Sequence, residues 1–142
     1  MTATLAQIRE GLAANLSAIP NVQVSAYMLS SPTPPTLWVF PEETDFDLTM
    51  QRGLDCYHLT IQAYIGAVAD EGSQVLLDTL LDPASATSVK AAVEADRTLG
   101  GAVESLRVTK QTGYRLYQVP NMGHATSMAQ ILGCEWTVEV YT

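Results

Sequence analysis

The residues best suited to covalent chemistry in this sequence are two cysteines and two histidines. Cys56 and His58 are two positions apart, which places both side chains on one face if the segment is a β-strand. A thiol beside an imidazole is the starting point of cysteine nucleophilic catalysis, which also needs an acidic group to orient the imidazole and donors to hold an oxyanion. The sequence identifies neither, so we expect Cys56 to be a small residue on the outer strand face and Cys134 to pack in the core.

Known catalytic and cofactor-binding motifs are missing from the sequence. It has no Walker A loop, no GxGxxG, no HExxH and no GxSxG, and its cysteines form neither a CxxC pair nor a zinc spacing. We therefore expect a protein that is not an enzyme and that holds no cofactor or metal.

Two other groups of side chains could bind a ligand. A calcium loop needs ligands at fixed spacing and a glycine at its turn. The acidic run has no such glycine, and we expect it to be a solvated loop: Glu42, Glu43, Asp45 and Asp47. Aromatic residues at strand positions usually belong to the core or the sheet surface, and we interpret four of them in this way: Trp38, Tyr57, Tyr64 and Trp136.

The composition describes one acidic domain. The chain has 142 residues, of which 47% are hydrophobic and only 15% charged, and its net charge is −8. A low share of charged residues hints at a surface that partners cover, and the acidic balance with scattered basic residues argues against binding nucleic acid. No leader-like segment and no apolar stretch near the ~20 residues of a membrane span are present. We expect a soluble protein, made in a reducing cytoplasm, without membrane contact.

Apolar spacing predicts the elements that position these residues. A first helix buries a stripe of Leu5, Ile8, Leu12, Leu16 and Ile19, is capped by Thr2 or Thr4 and ends at Pro20. Strands are predicted at 22–29, at 37–40 up to Pro41, and at 55–65, where apolar and polar residues alternate most clearly. A second helix follows a cap at Asp70, and a third opens at Ser85 or Thr87. The last third is β, with a hairpin of 103–110 and 114–119 about a turn at 111–113, then a strand at 133–141.

Grouped strands and helices indicate an α+β fold in a single domain, 1–142. We expect a mainly antiparallel, mixed sheet with the helices packed on one face. The other face carries His58, Thr60 and Gln62, with Thr137 and Glu139 beside them, and would meet water or another subunit.

Several stretches resemble tail terminator proteins of long-tailed, siphovirus-type bacteriophages, particularly those that infect actinobacteria. The resemblance lies in the order of elements over nearly the whole chain and in short phrases. These are residues 88–94 (SVKAAVE), 98–101 (TLGG), the segment 103–117 and the closing strand 133–141 (GCEWTVEVY).

The resemblance implies a structural virion protein at the junction of tail and neck, assembled in the host cytoplasm. Such proteins form a homo-oligomeric ring, usually a hexamer, that caps the tail tube and stops its polymerisation. The ring then joins the tail to the head-closure or connector protein, and DNA passes through its lumen without specific binding. An acidic protein suits such a conduit, because like charge keeps phosphates from adhering.

Two segments are candidate contacts with a neighbouring subunit or the tube. Residues 120–130 look longer than the turn that the family usually has here, and their small residues and methionines are typical of a loop that orders on contact. Residues 46–52 alternate apolar and polar side chains and form either an arm that reaches a neighbour or the start of the strand that runs to Ile65. The candidate residues are Phe46, Leu48, Met50, Arg52, Met122, His124 and Met128.

Three alternatives stay open. The chain could be a head-closure or other neck protein of the same particle, or a protein of a related tail-like secretion apparatus. It could instead bind or convert a small molecule through its aromatic, cysteine and histidine residues, in which case the purified protein would carry a stoichiometric ligand or metal.

Overall fold

A computed structural model describes residues 4–20, 22–27, 35–46, 55–66, 71–85, 87–120 and 128–142. Its elements, in chain order, are α1 (Leu5–Leu16), β1 (Gln23–Ser25), β2 (Thr36–Asp45), β3 (Cys56–Gly66), α2 (Glu71–Leu81), α3 (Val89–Glu94), β4 (Ser105–Pro120) and β5 (Met128–Tyr141). The strands form one sheet in the order β1-β2-β3-β5-β4, in which β1 is parallel to β2 and every other pair is antiparallel. The predicted α+β fold with a mainly antiparallel, mixed sheet is confirmed. None of the helices in these ranges has the length and apolar character that a membrane crossing requires.

The first helix forms as its sequence predicts. Thr4 is the N-cap, and its hydroxyl accepts from the Gln7 backbone N–H while the Gln7 side chain accepts from the Thr4 N–H, which makes a capping box. The predicted stripe faces the core, with Ile8, Leu12 and Leu16 fully buried. The Arg9 guanidinium donates to the carbonyls of Ala26 and Val39 and so fastens α1 across β1 and β2.

All three helices pack on one face of the sheet. The N-cap of α3 is Ser88, just after the predicted start, and the predicted cap of α2, Asp70, lies outside the described residues. Buried residues from the helices meet alternate residues of the strands in a single core, which includes Ile8, Leu77, Leu80, Val89, Val93, Leu37, Leu59, Ile61, Leu106, Cys134, Trp136 and Val138. The opposite face of the sheet carries no helix from the described ranges.

Pro41 does not end β2, contrary to prediction. The strand continues to Asp45, and its register with β3 shifts between Pro41 and Glu43. Proline is tolerated at bulges and on edge strands, and β1 covers β2 only from Thr36 to Trp38. Pro41 therefore sits beside a bulge, on a part of β2 whose outer edge pairs with no strand of the described residues. The acidic run at Glu42, Glu43 and Asp45 is consequently part of a strand and not the solvated loop that we predicted.

The predicted hairpin within 103–119 is also wrong. β4 runs from Ser105 to Pro120 without a turn, and its register with β5 shifts between Thr112 and Arg115. Gly113 adopts a φ of 71° inside that irregularity. A glycine with positive φ serves a bulge as well as a turn, and here it marks a bulge.

The hairpin that does form joins β4 to β5 and extends past β3. The last pair of β3 with β5 is Gly66 with Leu132, whereas β4 and β5 stay paired from Tyr117 with Ile131 out to Pro120 with Met128. Residues 117–120 and 128–131 thus form a two-stranded extension, the β4–β5 ribbon. Both ends of the predicted loop at 120–130 are therefore strand instead, because β4 includes Pro120 and β5 begins at Met128.

Candidate functional site

The side of the sheet opposite the helices, called here the helix-free face, is the candidate functional surface. The predicted alternation in β3 places Cys56, His58, Thr60, Gln62 and Tyr64 on it, whereas Leu59, Ile61, Ala63 and Ile65 enter the core. The face is less exposed than the sequence predicts, since Thr60 is only 2% and Gln62 only 3% accessible. Its two ends differ in chemistry.

One end is closed by an aromatic cluster of Trp38, Tyr64, Tyr117 and Ile131. The ring centroids of Trp38 and Tyr64 are 5.1 Å apart and nearly perpendicular, and those of Tyr64 and Tyr117 are 5.6 Å apart in the same edge-to-face manner. Such contacts add to the burial of apolar area. Burial also raises the pKa of the Tyr64 and Tyr117 hydroxyls. The cluster gives this end of the face a small core of its own.

The bulge in β4 helps to hold Tyr117 in this cluster. The Tyr117 hydroxyl donates to the Gly113 carbonyl at 2.6 Å, and the Arg115 guanidinium stacks 4.1 Å from the centre of the Tyr117 ring. Because Gly113 and Tyr117 are four residues apart on one strand, this bond fastens the bulge to the base of the β4–β5 ribbon.

The strands beneath the cluster approach one another closely. The buried Gln62 side chain donates to the carbonyls of Ala63 and Cys134, at 3.1 and 3.2 Å. A Cβ atom at Gly133 would overlap the Ala63 carbonyl oxygen, so this position needs glycine. Trp38 and Tyr64 are therefore structural residues at this end, while Trp136 lies in the helix-covered core and Tyr57 packs against it.

The other end of the face is a polar groove of about 450 Å³. Side chains from four strands line it: Glu42, Glu43, His58, Thr109, Lys110, Thr137 and Glu139. His58 Nε2 lies 2.8 Å from Asp45 Oδ2, and its Nδ1 lies 3.9 Å from Glu139 Oε1. The Thr60 hydroxyl donates to Glu42 at 2.7 Å. Pairing across β2, β3 and β5 therefore gathers acidic groups around one histidine.

The structure supplies the acidic partner of His58 that the sequence did not reveal, yet the arrangement does not activate Cys56. The Cys56 sulfur is 3.8 Å from His58 Nε2, the same nitrogen that Asp45 approaches. In a catalytic triad, the imidazole faces the nucleophile with one nitrogen and hydrogen-bonds to the acid with the other, whereas here the carboxylate that faces Nδ1, that of Glu139, is 3.9 Å away and beyond hydrogen-bond distance. Burial, followed by the Glu139 carboxylate, raises the pKa of the Cys56 thiol. The thiol is thus held in its protonated, weakly nucleophilic form.

The two cysteines lie as predicted, one on each face, and both are free and buried. Burial raises the pKa of the Cys134 thiol to about 12. Among the described residues, no group of three or more His, Cys, Asp or Glu side chains has an arrangement that could hold a metal ion.

Of the predicted contact residues, Phe46 is the one whose side chain the structure describes. It directly follows β2 and is 69% exposed, the highest value among the exposed large hydrophobic residues of the described chain. Met128 begins β5, with its backbone paired to Pro120. Leu48, Met50, Arg52, Met122 and His124 lie outside the described residues, so the arm hypothesis for 46–52 stays a prediction.

The basic residues of β4 gather at one edge of the sheet. Arg107, Lys110 and Arg115 lie exposed on β4, which β3 and β5 separate from β2, and Lys110 lines the polar groove together with Glu42 and Glu43. The sequence signal was the grouping of three of the seven basic residues between positions 107 and 115. Comparison with known proteins finds no family model that matches this sequence and no curated protein that matches it.

Proposed function

We propose that this protein is a structural, non-enzymatic subunit of a ring that caps a bacteriophage tail tube and joins it to the head connector. The observation that carries the proposal is the β4–β5 ribbon, which extends beyond the rest of the sheet. A two-stranded ribbon is marginally stable in water by itself and gains stability from a third strand or a packed surface. The ribbon therefore suits a contact with a neighbouring subunit, the tube or the connector.

The outer edge of β4 supports assembly. β4 has 16 residues and, in the described part of the chain, pairs only with β5. Proteins usually shorten, charge or cover such edges, because an open edge invites pairing with another chain. A closed ring covers the edges of all of its subunits and leaves none free to continue the association.

The charge of the protein supports passage of DNA through a ring. The net charge is −8, and acidic residues gather on the helix-free face in the polar groove. A lumen of the same sign as DNA repels phosphates and gives no lasting contact.

The test is to mix the purified protein with its tail tube protein and to image the tubes by negative-stain electron microscopy. We expect tubes that carry a ring at one end and stop growing there. Replacing residues 121–127 with Asn-Gly, a two-residue hairpin turn, should weaken capping if this segment makes the contact. Replacing the same seven residues with Gly and Ser, which keeps the length of the connection, separates the effect of its side chains from that of its length.

Tubes that grow uncapped would contradict the terminator assignment. The same protein would then be mixed with the head connector, because binding there without binding to tubes would favour a head-closure or other neck protein.

A further inference from the structure

An exposed aromatic side chain and an acidic strand end lie together on one side of the molecule. Phe46 follows the last residue of β2, and Glu43 and Asp45 precede it with exposed side chains. A single exposed apolar residue is ordinary on a protein surface. A second feature, at the β4 edge of the sheet, suggests a partner for Phe46.

That feature is a cavity of about 190 Å³ between the helices and the edge strand, the α2–β4 pocket. Its lining combines apolar residues, of which Val108 and Trp136 are buried, with polar and basic ones: Leu81, Pro83, Val108, Trp136, Thr109, Gln111, Lys90 and Lys110. Lys90 is already bonded to Glu94 and to the Val108 carbonyl. Lys110 is exposed and makes no ion pair with any residue in the described ranges. The pocket therefore suits a flat apolar group that has an acidic neighbour.

Phe46 does not fill the pocket of its own chain, because its side chain is exposed. β3 and β5 separate β2 from β4, which places these two strands about 14 Å apart at the usual strand spacing. A projection on one side of a protein and a matching pocket on another side give a head-to-tail contact between copies. Such contacts close into a ring when the rotation between copies is right, and otherwise continue as a filament.

We propose that Phe46 of one copy inserts into the α2–β4 pocket of the next copy, with Glu43 facing Lys110. This inference rests on the proposed ring and identifies the surface by which its subunits meet. The ring thereby buries the most exposed large apolar side chain of the described chain and pairs Lys110 with a carboxylate.

The test keeps an aromatic ring at position 46 and asks what it touches. Phe46→p-azidophenylalanine is prepared in the full-length chain as an equimolar mixture of ¹⁴N and ¹⁵N protein, irradiated, digested and analysed by mass spectrometry. We expect crosslinks between the two isotopic forms that map to the peptides holding Leu81, Pro83 and Val108–Gln111. The matched control is Val75→p-azidophenylalanine, an exposed apolar position on α2, which should give no preferred crosslink between copies.

Charge reversal sharpens the test. Lys110→Glu, introduced into the chain that carries p-azidophenylalanine at position 46, should lower the yield of the crosslink between copies roughly threefold to tenfold, because it places two negative charges opposite each other. Adding Glu43→Lys to the same chain should restore that yield. Failure of the second change to restore the yield would overturn the pairing of Glu43 with Lys110. Crosslinks that map elsewhere, or none above the Val75 control, would overturn the contact itself.

The crosslinking is performed on free protein at high concentration and on protein bound to tubes, so that a contact formed only on the template is also detected. Capped tubes without the expected crosslink would contradict the contact and leave the proposed function standing. The expected crosslink with uncapped tubes would support the contact and contradict the proposed function.

Discussion

The two ends of the helix-free face are built on the same strands, but one end is a buried aromatic cluster and the other is an open polar groove. At one end, Trp38, Tyr64 and Tyr117 exclude water and bury most of their own surface. At the other end, His58 and the carboxylates around it line an open groove. The difference follows from β4. The bulge at Gly113 and the ribbon beyond it bring Tyr117 over the aromatic end, whereas the polar end carries charged side chains.

This difference separates residues that hold the fold from residues that are free to contact something else. Burial of apolar area stabilises the aromatic end, at roughly 25 cal/mol per Å². The ion pairs of the polar end are partly exposed, and such pairs contribute about 0–1 kcal/mol each. The polar end can therefore change its contacts on assembly with little loss of stability, and the aromatic end cannot.

The largest effect is expected at the aromatic end. Tyr64→Ala removes the central ring of the cluster and its two edge-to-face contacts, and it leaves a cavity. We expect the free energy of unfolding to fall by about 3–5 kcal/mol, measured by urea denaturation. Phe46→Ala is the matched control, because it removes an exposed ring and should change the same quantity by less than about 0.5 kcal/mol. Equal losses in the two variants would show that the cluster is not a second core.

The pH dependence of stability allows a second comparison, between the Cys134 thiol in the helix-covered core and the Cys56 thiol at the polar end of the helix-free face. Cys134 lies under the helices beside Gly133, and burial raises its folded-state pKa from 9.0, the value for a solvent-exposed thiol, to about 12. Below pH 9, the thiol is protonated in both the folded and the unfolded chain and has no pH-dependent effect. Above pH 9, the unfolded chain loses this proton first, so stability is lost as the pH rises towards 12, by at most about 1.4 kcal/mol per pH unit.

Cys134→Ala should flatten the alkaline loss of stability between pH 9 and pH 11, as followed by urea denaturation at each pH. Cys56→Ala, at the polar end, is the comparison, and we expect it to flatten the curve less because the burial of Cys56 is shallower. The interpretation fails if the free energy of unfolding falls with pH equally steeply in the Cys134→Ala variant and in the unmodified protein.

The smallest effect is expected in the polar groove. Asp45→Asn weakens the contact with His58, but the Asp45 side chain is 49% exposed and water can replace it. We expect the free energy of unfolding to change by less than about 1 kcal/mol in urea denaturation. Glu43→Gln removes a neighbouring negative charge and controls for the change in net charge. A loss as large as that of Tyr64→Ala would place the polar groove among the structural elements.

Much of the fold could be predicted because it depends on local periodicity. The stripe from Ile8 to Leu16 and the alternation from Cys56 to Ile65 each reflect a repeat that a short window of sequence contains. The cap at Thr4 was equally local. These signals gave the correct elements and the correct faces of β3.

The errors arose where one residue type serves two structures. Gly113 allows a positive φ in a turn or in a bulge, and only the strand that pairs with its neighbours decides between them. Pro41 ends a central strand but is tolerated beside a bulge, on a part of β2 whose outer edge pairs with no strand of the described residues. In both cases the answer lay in a partner strand that is distant in sequence.

The geometry of the candidate site could not be predicted from the sequence for the same reason. Asp45 meets His58 because β2 pairs with β3 in one particular register, and Tyr117 meets Tyr64 because β5 lies between their strands. Neither meeting follows from spacing along the chain. The acidic character of the site was readable from composition, whereas its geometry was not.

The position of β5 between β3 and β4 has a consequence for biosynthesis. β4 is translated first, yet in the described sheet β5 is its only neighbour, so a nascent chain that ends after β4 holds a long strand with no place in the fold. Contacts of this kind form late and leave strands open to aggregation until they do. The ribbon and the Trp136 wall of the α2–β4 pocket also come into existence only when β5 is present. A chain that ends before β5 therefore lacks both the ribbon and the pocket on which the proposed assembly depends.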